Sequence, residues 1–256
     1  MFTRVKTAVE LAGMRESGQM LATVLDTLEQ AAAPGISERE LADMASRELK
    51  ALGGHAPFKG YHGFPDVICI STNDKVVHGI PSSYVLRAGD IISLDFGVTY
   101  RGMVTDSART ILVGAAEPKV QQLVAETKRS LLSGIAAVHD GVTTGDIGAA
   151  VQRVLDIHHY GIVRDLVGHG VGHQLHEEPD IANYGVPGDG PMLHAGMTIA
   201  IEPMANLGTE QVVMDPDGWT IRTRDGQPSA HFEHTVLITE NGAEILTATQ
   251  NKHEQV

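Results

Sequence analysis

Apolar and small residues recur at helical spacing over residues 5–33, where Leu11, Met14, Gly18, Leu21, Leu25 and Leu28 stand three or four positions apart. This predicts an amphipathic helix that breaks at Pro34-Gly35. Ser37 followed by Glu40 reads as a capping box opening a second helix through Leu41, Ala45, Leu49 and Leu52. The second half repeats the plan. A helix from about Pro118 runs through Val120, Leu123, Val124, Thr127, Leu131, Ile135 and Val138, and Asp140-Gly141 ends it. Thr143 with Asp146 caps the next helix, which carries Ile147, Val151 and Leu155.

Strand patterns echo this repeat. Ala88-Gly89-Asp90-Ile91-Ile92-Ser93-Leu94-Asp95 resembles Ala195-Gly196-Met197-Thr198-Ile199-Ala200-Ile201-Glu202, and both alternate with period two. Ile92 and Leu94 face one way, Ser93 and Asp95 the other; Ile199 and Ile201 likewise oppose Ala200 and Glu202. One sheet face is thus expected to pack on helices, while the other presents a carboxylate from each half. The pattern predicts an α+β fold, a pseudo-two-fold repeat of αα-ββ units. No linker or charge block divides the chain, so residues 1–256 read as one domain with halves of about 1–113 and 114–256.

Each repeat strand leads into a hairpin carrying a second acid. Asp95 and Asp106 are symmetric about Tyr100-Arg101, and straight pairing sets their Cβ atoms roughly 4.5–5.5 Å apart. Glu202 and Glu233 are symmetric about Asp217-Gly218, a favoured turn dipeptide. Like charges directly opposite destabilise a sheet, and a cation between them removes the repulsion. Gly168-His169-Gly170-Val171-Gly172-His173-Gln174-Leu175-His176-Glu177-Glu178-Pro179 is a source of imidazoles for the same face. It is neither HExxH, since the second His is missing, nor a dinucleotide fingerprint. No phosphate-binding loop and no G-x-S-x-G elbow occurs. Cys69 is a nucleophile on paper, but its apolar run Val67-Ile68-Cys69-Ile70 suits a buried wall.

Composition narrows the classes. The 256 residues include 19 Lys and Arg against 32 Asp and Glu, a formal net charge of −13. That balance argues against nucleic-acid or anionic-membrane binding, which need clustered basic residues. A single cysteine excludes an internal disulfide and points to a reducing compartment, the cytoplasm. An oxygen-rich site with some nitrogen suits Mn, Fe, Co or Zn, and fits two ions sharing carboxylates better than one structural zinc. Such a pair activates water for metal-assisted hydrolysis.

Tyr61-His62-Gly63-Phe64-Pro65-Asp66-Val67-Ile68-Cys69-Ile70-Ser71, followed by Val77-His78-Gly79-Ile80-Pro81, resembles the signature of type I methionine aminopeptidases. Asp95, Asp106, Gly168-His169-Gly170, His176-Glu177-Glu178-Pro179, Ile201-Glu202-Pro203-Met204 and Phe232-Glu233-His234-Thr235 extend the resemblance over nearly the whole chain. It implies the pita-bread fold, with a curved antiparallel sheet and helices on its outer face. It also implies that Asp95, Asp106, His169, Glu202 and Glu233 hold two divalent ions. Asp106 and Glu233 would bridge them; Asp95 would complete one site, and His169 with Glu202 the other. Glu202 would take the proton from the attacking water, and His78 and His176 would steady the oxyanion. The methionine pocket would comprise Tyr61, Phe64, Cys69 and Trp219, with Phe58 and Leu175 nearby. His62 would lie near the residue after the scissile bond, and His173 outside the ligand set.

The implied activity is removal of initiator methionine from nascent chains, with a small second residue preferred. The implied state is a monomer, with the ribosome as a candidate partner. Val104-Thr105 stand before Asp106 where the family often has His-Gly. Asp95-Phe96-Gly97 and Asp106-Ser107-Ala108-Arg109-Thr110 also resemble the X-Pro peptidases, which share the five ligands. An X-Pro peptidase is therefore the alternative, followed by a non-catalytic peptide-binding homologue. The Tyr61–Pro81 block favours the methionine enzyme, and the length resembles its short bacterial form.

Overall fold

The computed structural model describes residues 2–249. Its helices stand where apolar spacing places them: α1 (Ala8–Ala31), α2 (Glu38–Leu52), α3 (Pro118–Ala136) and α4 (Thr144–Asp156). Both expected capping boxes form, Ser37 with Glu40 and Thr143 with Asp146. α1 starts later than the 5–33 pattern suggests. Thr7 and Glu10 make a further capping box there, whose reciprocal side-chain bonds satisfy orphan N–H groups of the first turn.

The strands follow in chain order. After a short 3₁₀ turn at Tyr61–Gly63 come β1 (Cys69–Thr72), β2 (Lys75–Val77), β3 (Ile91–Tyr100) and β4 (Met103–Leu112). Beyond α4 come β5 (Gly161–Ile162), β6 (Gly168–Gly170), β7 (Glu177–Ile181), β8 (Thr198–Ile201) and β9 (Met204–Asn206). The last are β10 (Val212–Met214), β11 (Ile221–Thr223), β12 (Ser229–His231), β13 (Glu233–Thr239) and β14 (Gly242–Ile245).

The main sheet is antiparallel, in the order β1-β3-β4-β13-β8-β6-β7, with β14 added to β13. Its halves join at the β4–β13 seam, where the backbone ladder is short. Side chains extend it: Thr235 Oγ1 accepts from the Asp106 N–H and donates to the Asp106 carbonyl, both at 2.8 Å, and Ser107 Oγ donates to the Glu233 carbonyl at 2.6 Å.

Each half buries its own apolar cluster between sheet and helices. Leu21, Leu25, Leu41, Leu49, Ile92 and Leu94 pack in the first half; Leu131, Ile135, Ile147, Val151, Ile199 and Ile201 pack in the second. The two period-two strands therefore turn their aliphatic faces as the alternation predicts. The opposite sheet face holds a smaller cluster of Phe58, Phe64, Cys69, Val104, Val171, Leu175 and Ala200.

One register differs from the sequence reading. Asp95 pairs with Ala108, and Asp106 with Gly97, so the two aspartates are diagonal rather than opposite. The cause is the turn: Arg101 (φ 49°) and Gly102 (φ 77°) both take left-handed backbone, which makes them the central pair of the tight hairpin. The shift is even, so both carboxylates keep the same face. The second hairpin keeps its expected register. His234 pairs with Ile201, Ser229 with Asn206, and Val212 with Thr223, all consistent with a fold-back at Asp217-Gly218. That long hairpin twists out of the main sheet, however, and its middle strands belong to two small three-stranded sheets.

Candidate metal centre

Sheet register explains why five polar side chains converge. Asp95, Ala108 and Glu233 form one row across β3, β4 and β13, and Asp106 lies two residues from Ala108 on the same face. Thr235, Ala200 and His169 form the next row across β13, β8 and β6; Glu202 lies two residues beyond Ala200. Ligating atoms of Asp106, His169 and Glu233 all lie within 4.8 Å of one another. Asp95, Asp106, His169 and Glu233 are buried.

This geometry is hostile to bare charge. Burial, reinforced by the neighbouring carboxylates, pushes Asp95, Glu202 and Glu233 well above the usual carboxylate range. Burial alone pushes Asp106 up to about 7. Asp95 Oδ1, Asp106 Oδ1 and Glu233 Oε1 are buried without a hydrogen-bond partner among the described residues. Buried carboxylate oxygens are normally satisfied, so three orphans on residues lining one cavity fit a cation.

The imidazole is prepared for the same task. His169 Nδ1 donates to the Gly170 carbonyl at 2.9 Å, which leaves the Nε2 lone pair free to ligate. Burial, helped by the adjacent His176 ring, pushes its pKa down to about 3, so it is neutral at physiological pH. Its Nε2 lies 3.4 Å from Glu202 Oε1.

Beside this floor a cavity of about 130 Å³ is lined by Phe58, Tyr61, Phe64, Cys69, Leu175 and Trp219, and also by His78, His176 and the five polar residues. Phe64 and Trp219 meet edge to face at 5.2 Å. Cys69 pairs with Asp95 in the sheet, and burial plus the carboxylates drive its thiol pKa upward. It is therefore a protonated wall residue, not a thiolate nucleophile. Tyr61 Oη lies 2.8 Å from His176 Nδ1. Thus every expected site residue lines the cavity except His62, which is exposed and stacks edge-on against Tyr61 at 4.4 Å. His173 stays outside, with Nε2 2.8 Å from Glu10 Oε1.

One neighbour escaped the sequence reading. His231 is buried, and neither ring nitrogen has a hydrogen-bond partner among the described residues. Its Nε2 lies 3.6 Å from Glu202 Oε2, so Glu202 sits between two imidazoles, one toward each oxygen. The signal was available: residue 231 is two positions before Glu233, hence on the same face of an extended chain.

A buried acid–imidazole cluster on an antiparallel two-fold sheet fits a metal-dependent enzyme, and the chain belongs to metallopeptidase family M24, which matches residues 12–240. It is 45% identical to methionine aminopeptidase 1 of Bacillus subtilis, over 94% of this chain and 98% of that protein. It is 42% identical to a methionine aminopeptidase of Clostridium perfringens, over 95% and 98%. The crystal structure of the Thermotoga maritima methionine aminopeptidase superposes with a TM-score of 0.95 at 42% identity, covering 96% of this chain and 99% of that one. Prolidase from Pyrococcus furiosus shares the fold at a TM-score of 0.78 and 25% identity, with 66% of its chain covered. Within family M24 the chain thus falls among the methionine aminopeptidases, pita-bread metallo-exopeptidases that use divalent metal.

Proposed function

We propose that this chain removes the initiator methionine from nascent proteins and peptides, preferring a small second residue. Asp95, Asp106, His169, Glu202 and Glu233 would hold two divalent ions drawn from Co, Mn, Fe or Zn. Bound there, the ions supply Lewis acidity and lower the pKa of water. The observation that carries this reading is a cavity in which an apolar side-chain pocket opens onto a carboxylate floor. The pocket would seat a terminal side chain directly beside that floor, which is the arrangement an aminopeptidase requires.

The chain's own residues divide the remaining work. Glu202 takes the proton from the attacking water; His169 Nε2, 3.4 Å from its Oε1, and His231 Nε2, 3.6 Å from its Oε2, flank the carboxylate and hold it toward the cavity. His176 is neutral, because burial and nearby His78 and His62 push its pKa down to about 4. Burial raises the Tyr61 phenol above its usual value, so its O–H stays on, and in the tautomer this role needs it donates to His176 Nδ1, 2.8 Å away. The remaining proton then sits on His176 Nε2, free to donate to the developing oxyanion. His78 is likewise kept neutral by burial and stands across the cavity, 6.5 Å from the Trp219 ring. Tyr61, Phe64, Cys69 and Trp219 receive one unbranched thioether side chain, and His62 stands near the following residue.

Residues 1–256 act as one catalytic domain in this reading, monomeric and cytoplasmic, on chains emerging from the ribosome. Lone Cys69 supports the reducing compartment. Among the described residues no helix is long and apolar enough to cross a membrane.

Metal-loaded protein offered Met-Ala-Ser and Ala-Pro-Ala side by side is expected to release methionine and leave the proline peptide intact, as read by liquid chromatography. Cleavage of the proline peptide alone would assign the site to an X-Pro peptidase; cleavage of neither, under several metals, would indicate a peptide-binding homologue.

A further inference from the structure

The loop between β6 and β7 carries Leu175 into the pocket wall and His176 over the floor. Its shape depends on a buried carboxylate next door. Glu177 Oε1 accepts the N–H groups of His173 at 2.6 Å and Gln174 at 2.9 Å. Its other oxygen, Oε2, lies 3.3 Å from Lys6 Nζ, and both side chains are sealed from solvent, at 0% and 1% exposure. Lys6 Nζ also donates to Thr3 Oγ1 at 2.7 Å and to the Arg4 carbonyl at 2.9 Å.

Lys6 reaches this position because the segment before α1 is tied along the sheet. The Thr3 N–H donates to the Glu178 carbonyl, Thr3 Oγ1 to the Thr198 carbonyl and the Lys6 N–H to the Gly196 carbonyl. The Lys6 stem crosses directly over Gly172, where a Cβ would meet Lys6 Cε at 2.4 Å. Glu10, which caps α1 through Thr7, holds His173 from the same side. Residues far apart in the chain thus clamp one short loop from its rear.

A buried ion pair rarely adds stability over an apolar pair of similar volume. Here each charge has a geometric task instead. The loop needs a strong acceptor for two converging N–H groups, and the carboxylate needs a cation to remain ionised away from water. Burial opposes the charge on Glu177, yet Thr3, the Gln174 N–H and Lys6 together outweigh it and hold its carboxyl below the usual value.

We propose that Lys6 and Glu177 are positioning residues for His176: the N-terminal segment is a strap whose buried ammonium holds the carboxylate that shapes the loop presenting that ring. The proposal rests on the oxyanion role given to His176 above. Its consequence is that a residue outside the cavity controls turnover while touching neither substrate nor ligand set.

The test uses the full-length, metal-loaded enzyme with Met-Ala-Ser. Glu177→Ala is expected to lower kcat by about ten- to a hundredfold, the scale of a small misplacement of a catalytic group, while KM moves less. Glu177→Gln, whose amide oxygen still accepts both N–H groups, is expected to recover most of that loss. Lys6→Met and the gentler Thr3→Val are expected to fall between Glu177→Ala and wild type. Hydrogen exchange at the His173 and Gln174 amides should accelerate in the order of the kcat losses, at temperatures below each variant's melting point. In a His176→Ala background, Glu177→Ala is expected to cost less than about twofold more, because it acts through that ring. Wild-type kcat in Glu177→Ala, or an undiminished further loss in the His176→Ala background, would overturn the proposal and leave the role of His176 standing. Wild-type kcat in His176→Ala itself would remove the oxyanion role, and the proposal with it.

Discussion

Asp106→Asn is expected to abolish turnover while making the metal-free protein more stable. Removing an outer-shell partner of a metal ligand commonly costs about 10–100-fold, so loss of a central ligand should cost at least about a hundredfold in kcat/KM. Asn keeps the shape of Asp106, and the two bonds from Thr235 to its backbone are untouched. What changes is the charge, in a cluster where Asp106 contributes to the repulsion on Asp95, Glu202 and Glu233. Burial already holds Asp106 up to about 7, a penalty that the neutral amide does not incur. Chemical denaturation of metal-free protein at pH 8 should therefore show a gain of roughly 2–4 kcal/mol for the variant. A variant that lost activity but also lost metal-free stability would indicate a structural role for Asp106; full activity would refute the ligand assignment.

Metal removal should also reverse the ordinary dependence of stability on pH. A carboxyl whose folded pKa lies above its unfolded value binds more protons when folded, so its contribution to stability is lost as pH rises through the folded value. Asp106, raised from 3.8 to about 7, behaves this way, and Asp95, Glu202 and Glu233 are shifted in the same direction. The buried histidines act oppositely. His169 and His231, pushed down to about 3, and His176, pushed down to about 4, remain neutral when folded, so their contribution grows as pH rises toward 6.5. Above 6.5 the histidine contribution is complete and only the carboxylates still change. Metal-free protein is thus expected to melt at progressively lower temperature from pH 6.5 to 8, and saturating Mn²⁺ is expected to flatten that slope. A metal-free melting temperature constant or rising across this window would show that the carboxylates are not held protonated by the fold.

Much of this was legible in the chain because period-two alternation and turn residues act locally. Capping boxes at Ser37 and Thr143 placed two helix starts, and the strand alternation placed Asp95 and Glu202 on the face away from the helices. The β3–β4 register differs by two residues from symmetry about Tyr100-Arg101, because the turn prefers left-handed backbone, which Gly102 satisfies. The motifs drew the cavity lining together, apart from His62, whose side chain turns to solvent beside Tyr61. His231 lies one residue outside the Phe232-Glu233-His234-Thr235 motif. Glu177 stands in the His176-Glu177-Glu178-Pro179 motif with no role attached to it, and Lys6 has no sequence signal at all. Their contact depends on the N-terminal segment lying along β7, a tertiary event that no periodicity encodes.

The most direct check of the metal centre is anomalous X-ray diffraction from crystals soaked in Mn²⁺. Two anomalous peaks are expected, both within the cluster of Asp95, Asp106, His169, Glu202 and Glu233, with Asp106 and Glu233 touching each ion. A strong peak elsewhere, with none among these five side chains, would contradict the assignment.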